Sequence, residues 1–117
     1  MSRILVVEDN SSLNTMLCDA IELSGNQAES VTTRKAALER LAAGTYDLVV
    51  SDLRLPDGSG RDIADRGALL GIRTLLVTGD LDAARGFEKA GLRHLRKPFD
   101  IVQFLEMVAI ELLPRGQ

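Results

Sequence analysis

Short unbroken apolar runs, spaced by amphipathic stretches, set the rhythm of this chain. Arg3 to Val7 reads R-I-L-V-V, too short for a helix and rich in β-branched residues, which predicts a strand buried on both faces. Asn10 or Ser11 then offers a helix N-cap, and Leu13, Met16, Leu17, Ala20 and Ile21 follow at helical spacing up to Gly25. Gln27 to Val31 is a weaker second strand. Thr32 or Thr33 can cap a helix carrying Ala37, Leu38 and Leu41 that ends near Gly44. Tyr46 to Ser51 is a third strand running directly into Asp52, followed by a loop with Pro56, Gly58 and Gly60 and a helix to about Leu70. Arg73 to Val77 is the fourth strand, ended by Thr78-Gly79-Asp80. A short helix from Asp82 to Ala90 stops at Gly91, and Leu92 to Leu95 is a brief fifth strand before Lys97-Pro98. The last helix starts near Asp100, places Ile101, Phe104, Leu105, Val108 and Leu112 on one face, and ends at Pro114.

Five strands alternate with five helices. Parallel neighbours need crossover helices, so the alternation predicts an α/β fold with a parallel sheet between helical layers. Five units favour an open, doubly wound sheet over an eight-unit barrel. At 117 residues the chain is expected to be one domain, residues 1–117. It carries no internal repeat or linker.

Composition narrows the chemistry. Hydrophobic residues make up 45% and charged residues 26%, a globular mixture that can bury a core without staples. The single cysteine, Cys18, excludes an internal disulfide framework and a multi-cysteine zinc site. Fourteen Lys and Arg against seventeen Asp and Glu give a net charge of -3, and aromatics are 3% with no Trp. A direct nucleic-acid surface, which needs cations and stacking platforms, is therefore not expected. Nor is a membrane span or a secretory leader, which makes the cytoplasm the expected compartment.

Ligands of open parallel sheets bind at the carboxyl ends of the strands. The residues leaving those ends are Glu8 and Asp9, Asp52, Thr78 and Lys97, a set that core packing does not require. Neighbouring carboxylates repel unless a cation sits among them, and hard oxygen ligands with open positions suit Mg²⁺, with Mn²⁺ as a substitute. Lys97 is a compact charge for a carboxylate or phosphoryl oxygen, and Thr78 can donate its hydroxyl to one. Asp52, at the centre, can act as a nucleophile that forms an aspartyl phosphate.

Taken together, E-D at 8–9, V-V-S-D-L-R-L-P-D-G-S-G around Asp52, T-G at 78–79 and K-P-F at 97–99 resemble the response-regulator receiver domain. The resemblance covers essentially the whole chain. It implies a CheY-like, flavodoxin-like (βα)5 fold with strand order 2-1-3-4-5. It further implies a phosphorylation switch. Glu8, Asp9, Asp52 and the backbone carbonyl of Arg54 would hold Mg²⁺. Asp52 would accept a phosphoryl group from a histidine kinase or phosphotransfer protein, Thr78 would swing toward that group, and Lys97 would contact it. The Lys97-Pro98 bond is expected to be cis. Output would pass through an unidentified downstream protein or a phosphorylation-dependent dimer, since no output domain follows the last helix. Such a chain is no enzyme beyond catalysing its own phosphorylation and dephosphorylation.

Three departures stand out. His94 occupies the position where the family usually has an aromatic switch residue. The imidazole can make that inward movement, with a charge that changes near neutral pH, or remain a half-exposed strand residue. Arg54 can lie over the phosphoryl group and slow attack by water, or reach into solvent, and Asp80 can pair with it across the mouth. The stretch from Thr78 to Lys97 is shorter than usual by roughly one helical turn. An aspartyl-phosphate phosphatase would want an acid where Arg54 stands. A flavin module would want a first loop that attracts phosphate, where Glu8-Asp9-Asn10 is acidic. A receiver-like module that is never phosphorylated would usually lack the acceptor or the lysine, and both are present.

The remaining candidates read as structure. Cys18 fits a helix face as an apolar residue, as do Met16 and Met107. Asp57-Gly58-Ser59-Gly60 lacks the Lys-Ser/Thr of a phosphate loop and reads as turn chemistry. Arg34-Lys35 and Arg93 to Lys97 are small basic surface patches.

Overall fold

The structure, a computed structural model, describes residues 1–114; the last three residues of the expected domain lie outside the described residues. Its elements in chain order are β1 (Arg3–Val7), α1 (Ser11–Leu23), β2 (Gln27–Val31), α2 (Arg34–Ala43), β3 (Leu48–Asp52), β4 (Arg54–Leu55), β5 (Gly58–Ser59), α3 (Gly60–Leu69), β6 (Arg73–Thr78), α4 (Leu81–Lys89), β7 (His94–Arg96) and α5 (Ile101–Leu112). The main sheet has the order β2-β1-β3-β6-β7, all parallel, which is the doubly wound 2-1-3-4-5 arrangement once the short β4–β5 pair is set aside.

Alternate residues of the apolar runs feed opposite faces. Ile4, Val6, Leu48, Val50, Leu75 and Val77 pack with Leu17, Ile21, Phe104 and Val108 of α1 and α5. Leu5, Val7 and Val49 pack with Ala37, Leu41 and Ile63 of α2 and α3. Both faces of β1 and β3 are therefore covered, which explains why those strands read as continuous apolar runs.

The structure departs from the sequence expectations in four places. The expected loop after Asp52 contains an antiparallel ladder, Arg54 opposite Ser59 and Leu55 opposite Gly58. Gly58, at φ 152°, closes that ladder in a region that side-chain-bearing residues rarely adopt. β7 begins at His94 rather than Leu92, because the Leu92 N–H is spent on Phe87 O (2.8 Å) in closing the end of α4. On α1 the core face is Asn14, Leu17, Ala20 and Ile21, while Met16 is 46% exposed. On α5 the buried residues are Phe104, Val108 and Glu111, with Leu112 only half-buried.

Candidate functional site

The strand order sets the exits of β1 and β3 side by side, with β6 next and β7 at the edge. The carboxyl end of β1 is fixed from α1. The Asn14 side-chain amide, buried in the core, donates to Glu8 O (2.9 Å) and Val31 O (3.1 Å), tying the ends of β1 and β2 to the helix. Asn10 then caps α1, its side chain accepting from Leu13 N–H at 3.0 Å. Asp52 is held by its own backbone: Leu53 N–H donates to Val77 O (2.8 Å), and Gly60 N–H donates to Leu53 O (2.7 Å). Gly60 is required by close approach. A Cβ there would stand 2.2 Å from Asp52 O and 2.8 Å from Ser51 Oγ.

One carboxylate oxygen each from Glu8, Asp9 and Asp52 lies within 4.8 Å of the others. Lys97 reaches over from beyond β7, its backbone N–H anchored on Thr78 O (2.8 Å). Its Nζ donates to Glu8 Oε1 at 3.1 Å and to Asp52 Oδ2 at 3.2 Å. The Glu8 side chain is 3% exposed and that of Asp52 12%.

Burial pushes the Glu8 carboxyl above its ordinary range. The Asn10 N–H (3.1 Å) and Lys97 oppose that rise, while the Asp52 charge adds to it. Burial also works against the Lys97 charge, but the hydrogen bond to Glu8 and the charges of Asp52 and Glu8 more than offset it, so the ammonium is held above the lysine range. One cation thus serves a group of acids that still crowd one another. Three hard oxygen donors, one of them buried and kept partly uncompensated, fit a small divalent cation that retains some of its waters.

The other candidate residues are placed around this cluster. Thr78 is buried, and its hydroxyl oxygen accepts a hydrogen bond from Asp80 N–H at 3.0 Å. Arg54, mostly exposed, donates from Nη2 to Asp80 Oδ2 at 2.7 Å. Asp80 is also the N-cap of α4, accepting from Asp82 N–H (2.9 Å) and Ala83 N–H (3.2 Å). The Ala83 N–H, then Arg54, hold its carboxyl below the usual aspartate range. His94 is half-buried on β7, with Nδ1 3.2 Å from Leu92 O and its ring tilted against Phe87 at 5.7 Å. Its polar contact is thus with its own loop, away from the acids. The Lys97-Pro98 bond is cis. The Cys18 thiol sits 3.4 Å from Asn14 Oδ1, and burial pushes it up, which makes it less nucleophilic. The sequence reading passed over Asn14 and took Gly60 only as turn chemistry. The first sits three residues before Leu17 on the buried face of α1, a helical spacing that was the available signal.

The model of the response regulator receiver domain matches residues 4–109, nearly the whole chain. The chain belongs to this family. As a receiver domain of two-component response regulators it has relatives among full-length regulators. It is 31% identical over 110 residues to the DNA-binding transcriptional regulator NtrC of Escherichia coli (strain K12), covering 90% of this chain and 24% of that protein. It is 33% identical over 119 residues to the response regulator protein PilR of Pseudomonas aeruginosa, covering 97% and 27%. The chain therefore spans about a quarter of the length of these relatives. Among solved structures, the non-phosphorylated HemR receiver domain from Leptospira biflexa is 32% identical with a TM-score of 0.84, covering 100% of this chain and 99% of that one. Among the described residues, no helix is long and apolar enough to cross a membrane.

Proposed function

We propose that this receiver domain is a phosphoacceptor switch whose acceptor is Asp52 and whose phosphoryl donor is a histidine kinase or phosphotransfer protein in the cytoplasm. The observation that carries the reading is the bridge from Lys97 Nζ to both Glu8 and Asp52 above a three-carboxylate cluster. A carboxylate oxygen of Asp52 attacks the phosphorus of a phosphohistidine and forms a P–O bond. The P–N bond breaks, and its electron pair leaves with the imidazole nitrogen. Glu8, Asp9 and Asp52, with the Arg54 carbonyl, would hold Mg²⁺, which supplies charge neutralisation for the transferred group. Lys97 is anchored through its backbone to Thr78 and exchanges its Asp52 contact for a phosphoryl oxygen. The Thr78 hydroxyl leaves Asp80 N–H to donate to another. His94 follows it by sliding along Phe87, which alters the face that a downstream partner or a second copy reads.

Arg54 stands where a phosphatase would place a proton-donating acid, so the product persists instead of turning over. The Arg54–Asp80 pair, whose arginine follows the acceptor by two residues, sets how long. Loss of phosphate from Arg54→Ala at the wild-type rate would overturn that assignment. The main test is intact mass after incubation with Mg²⁺ and a small acyl phosphate. One phosphoryl group is expected on the wild type and none on Asp52→Asn. No gain on either protein would favour an interaction module that works unphosphorylated.

A further inference from the structure

The D-G-S-G segment after Asp52 has a use that turn chemistry alone does not capture. An α-helix leaves its first N–H groups without internal partners. In α2 three of them are satisfied from two sources. Thr33, the N-cap, takes Ala36 N–H on its hydroxyl (3.1 Å), while its carbonyl accepts the first regular helical bond, from Ala37 N–H (3.1 Å). Arg34 and Lys35 N–H donate instead to Asp57, to Oδ1 at 2.7 Å and Oδ2 at 2.9 Å. The carboxylate that completes the start of α2 therefore comes from the turn of the β4–β5 hairpin, which also carries Arg54.

Two contacts reinforce this junction. Arg34 Nε donates to Asp62 Oδ2 at 2.7 Å, joining the start of α2 to the first turn of α3. Gly58 lies against the Arg34 stem so closely that a Cβ would stand 2.6 Å from Arg34 Cδ. The base of the hairpin is fixed by Leu53 and Gly60, and its inner side by Leu55, which is buried in the α2–α3 core. Its tip is held by Asp57. Hydrogen bonds from Lys35 and Arg34 N–H keep the Asp57 carboxyl below the aspartate range, so it stays an acceptor at neutral pH.

The geometry points to Asp57 as a positioning residue. By capping α2 from outside, it fixes the backbone of Arg54 between two anchors and so presets the carbonyl that the proposed metal site uses. This inference rests on the metal-site reading above and adds a residue that acts on it without touching it.

The test separates the loop from the helix, because Thr33→Ala removes an α2 cap without touching the hairpin. Mg²⁺ is titrated by calorimetry into wild type, Asp57→Ala, Asp57→Asn and Thr33→Ala, and amide exchange is followed at Gly60 N–H. Thr33→Ala and Asp57→Ala should both lower Tm. Only Asp57→Ala should weaken Mg²⁺ binding, by about tenfold as for other residues that orient metal ligands. It should also speed Gly60 exchange by about tenfold. Asp57→Asn, which keeps one acceptor oxygen, should fall between. Equal Mg²⁺ affinity in Asp57→Ala and wild type, or an equal loss in Thr33→Ala, overturns the inference. If the wild type itself binds no Mg²⁺, the metal-site reading fails, and Gly60 exchange alone decides whether Asp57 orders the hairpin.

Discussion

Toward the amino end of the sheet, acids meet cations in balance: Glu29 accepts from both Arg3 and Arg40, and from the Tyr46 hydroxyl at 3.0 Å. Asp47 takes the Arg3 N–H at 2.8 Å, and Arg73 donates to the last carbonyls of α5, Glu111 O and Leu113 O. Buried Glu111 lies 2.8 Å from Arg93 Nε, an ion pair whose N–H is not aimed for a hydrogen bond. At the carboxyl end, Glu8, Asp9 and Asp52 crowd together, and Lys97 pairs with Glu8 and Asp52. Balanced charge at one end serves the fold. Unbalanced charge at the other costs stability unless a cation joins it, the role proposed above for Mg²⁺.

Each variant below breaks one side of that comparison. The largest effect is expected from Gly60→Ala, where the new Cβ meets the Asp52 carbonyl and backbone has to move. A loss of about 3 kcal/mol in denaturant unfolding is expected, with Asp52 displaced. Next is Arg93→Ala, which strands a buried carboxylate. Because Arg93 is itself half exposed, the expected loss is about 2 kcal/mol rather than the full cost of a buried pair. Glu111→Gln in the same chain should recover part of it, and no recovery would mean that Arg93 acts through packing. Asp9→Asn works in the opposite sense. It relieves crowding and should raise stability without Mg²⁺ by about 0.5 kcal/mol while weakening Mg²⁺ binding.

The smallest effect is a pH dependence. The hydrogen bond from Arg3 holds Glu29 below the usual range; burial opposes it, and the Tyr46 hydroxyl and the arginine charges add to it. A depressed carboxyl contributes stability above its unfolded value, about 4.3 for glutamate, and loses it as pH falls through the lower folded value. Unfolding titrations should therefore fall off less steeply below about pH 4 in Glu29→Gln than in wild type.

Much of this was legible in the sequence for a physical reason. Strands buried on both faces must be apolar along their length, so R-I-L-V-V and L-V-V declare themselves, and the polar pair after each marks the carboxyl edge. That rule finds Glu8, Asp9 and Asp52 together, and the order of the strands brings Lys97 to them. The β4–β5 ladder was not legible, because two-residue strands carry no periodicity. Asn14 and Glu111 were hidden by their own polarity. Both stand at core spacing, Asn14 before Leu17 and Glu111 after Phe104 and Val108, but their burial depends on partners in distant segments: Val31 for one, Arg93 for the other. The role of Asp57 was hidden likewise, since a turn residue does not reveal the helix it caps.

The most direct test of the contrast between the two ends is a calorimetric Mg²⁺ titration of wild type, Glu8→Gln and Glu111→Gln. The account predicts one bound Mg²⁺ in wild type, the same affinity in Glu111→Gln, and a loss of about tenfold or more in Glu8→Gln. No binding to wild type, or equal binding by all three, would contradict it.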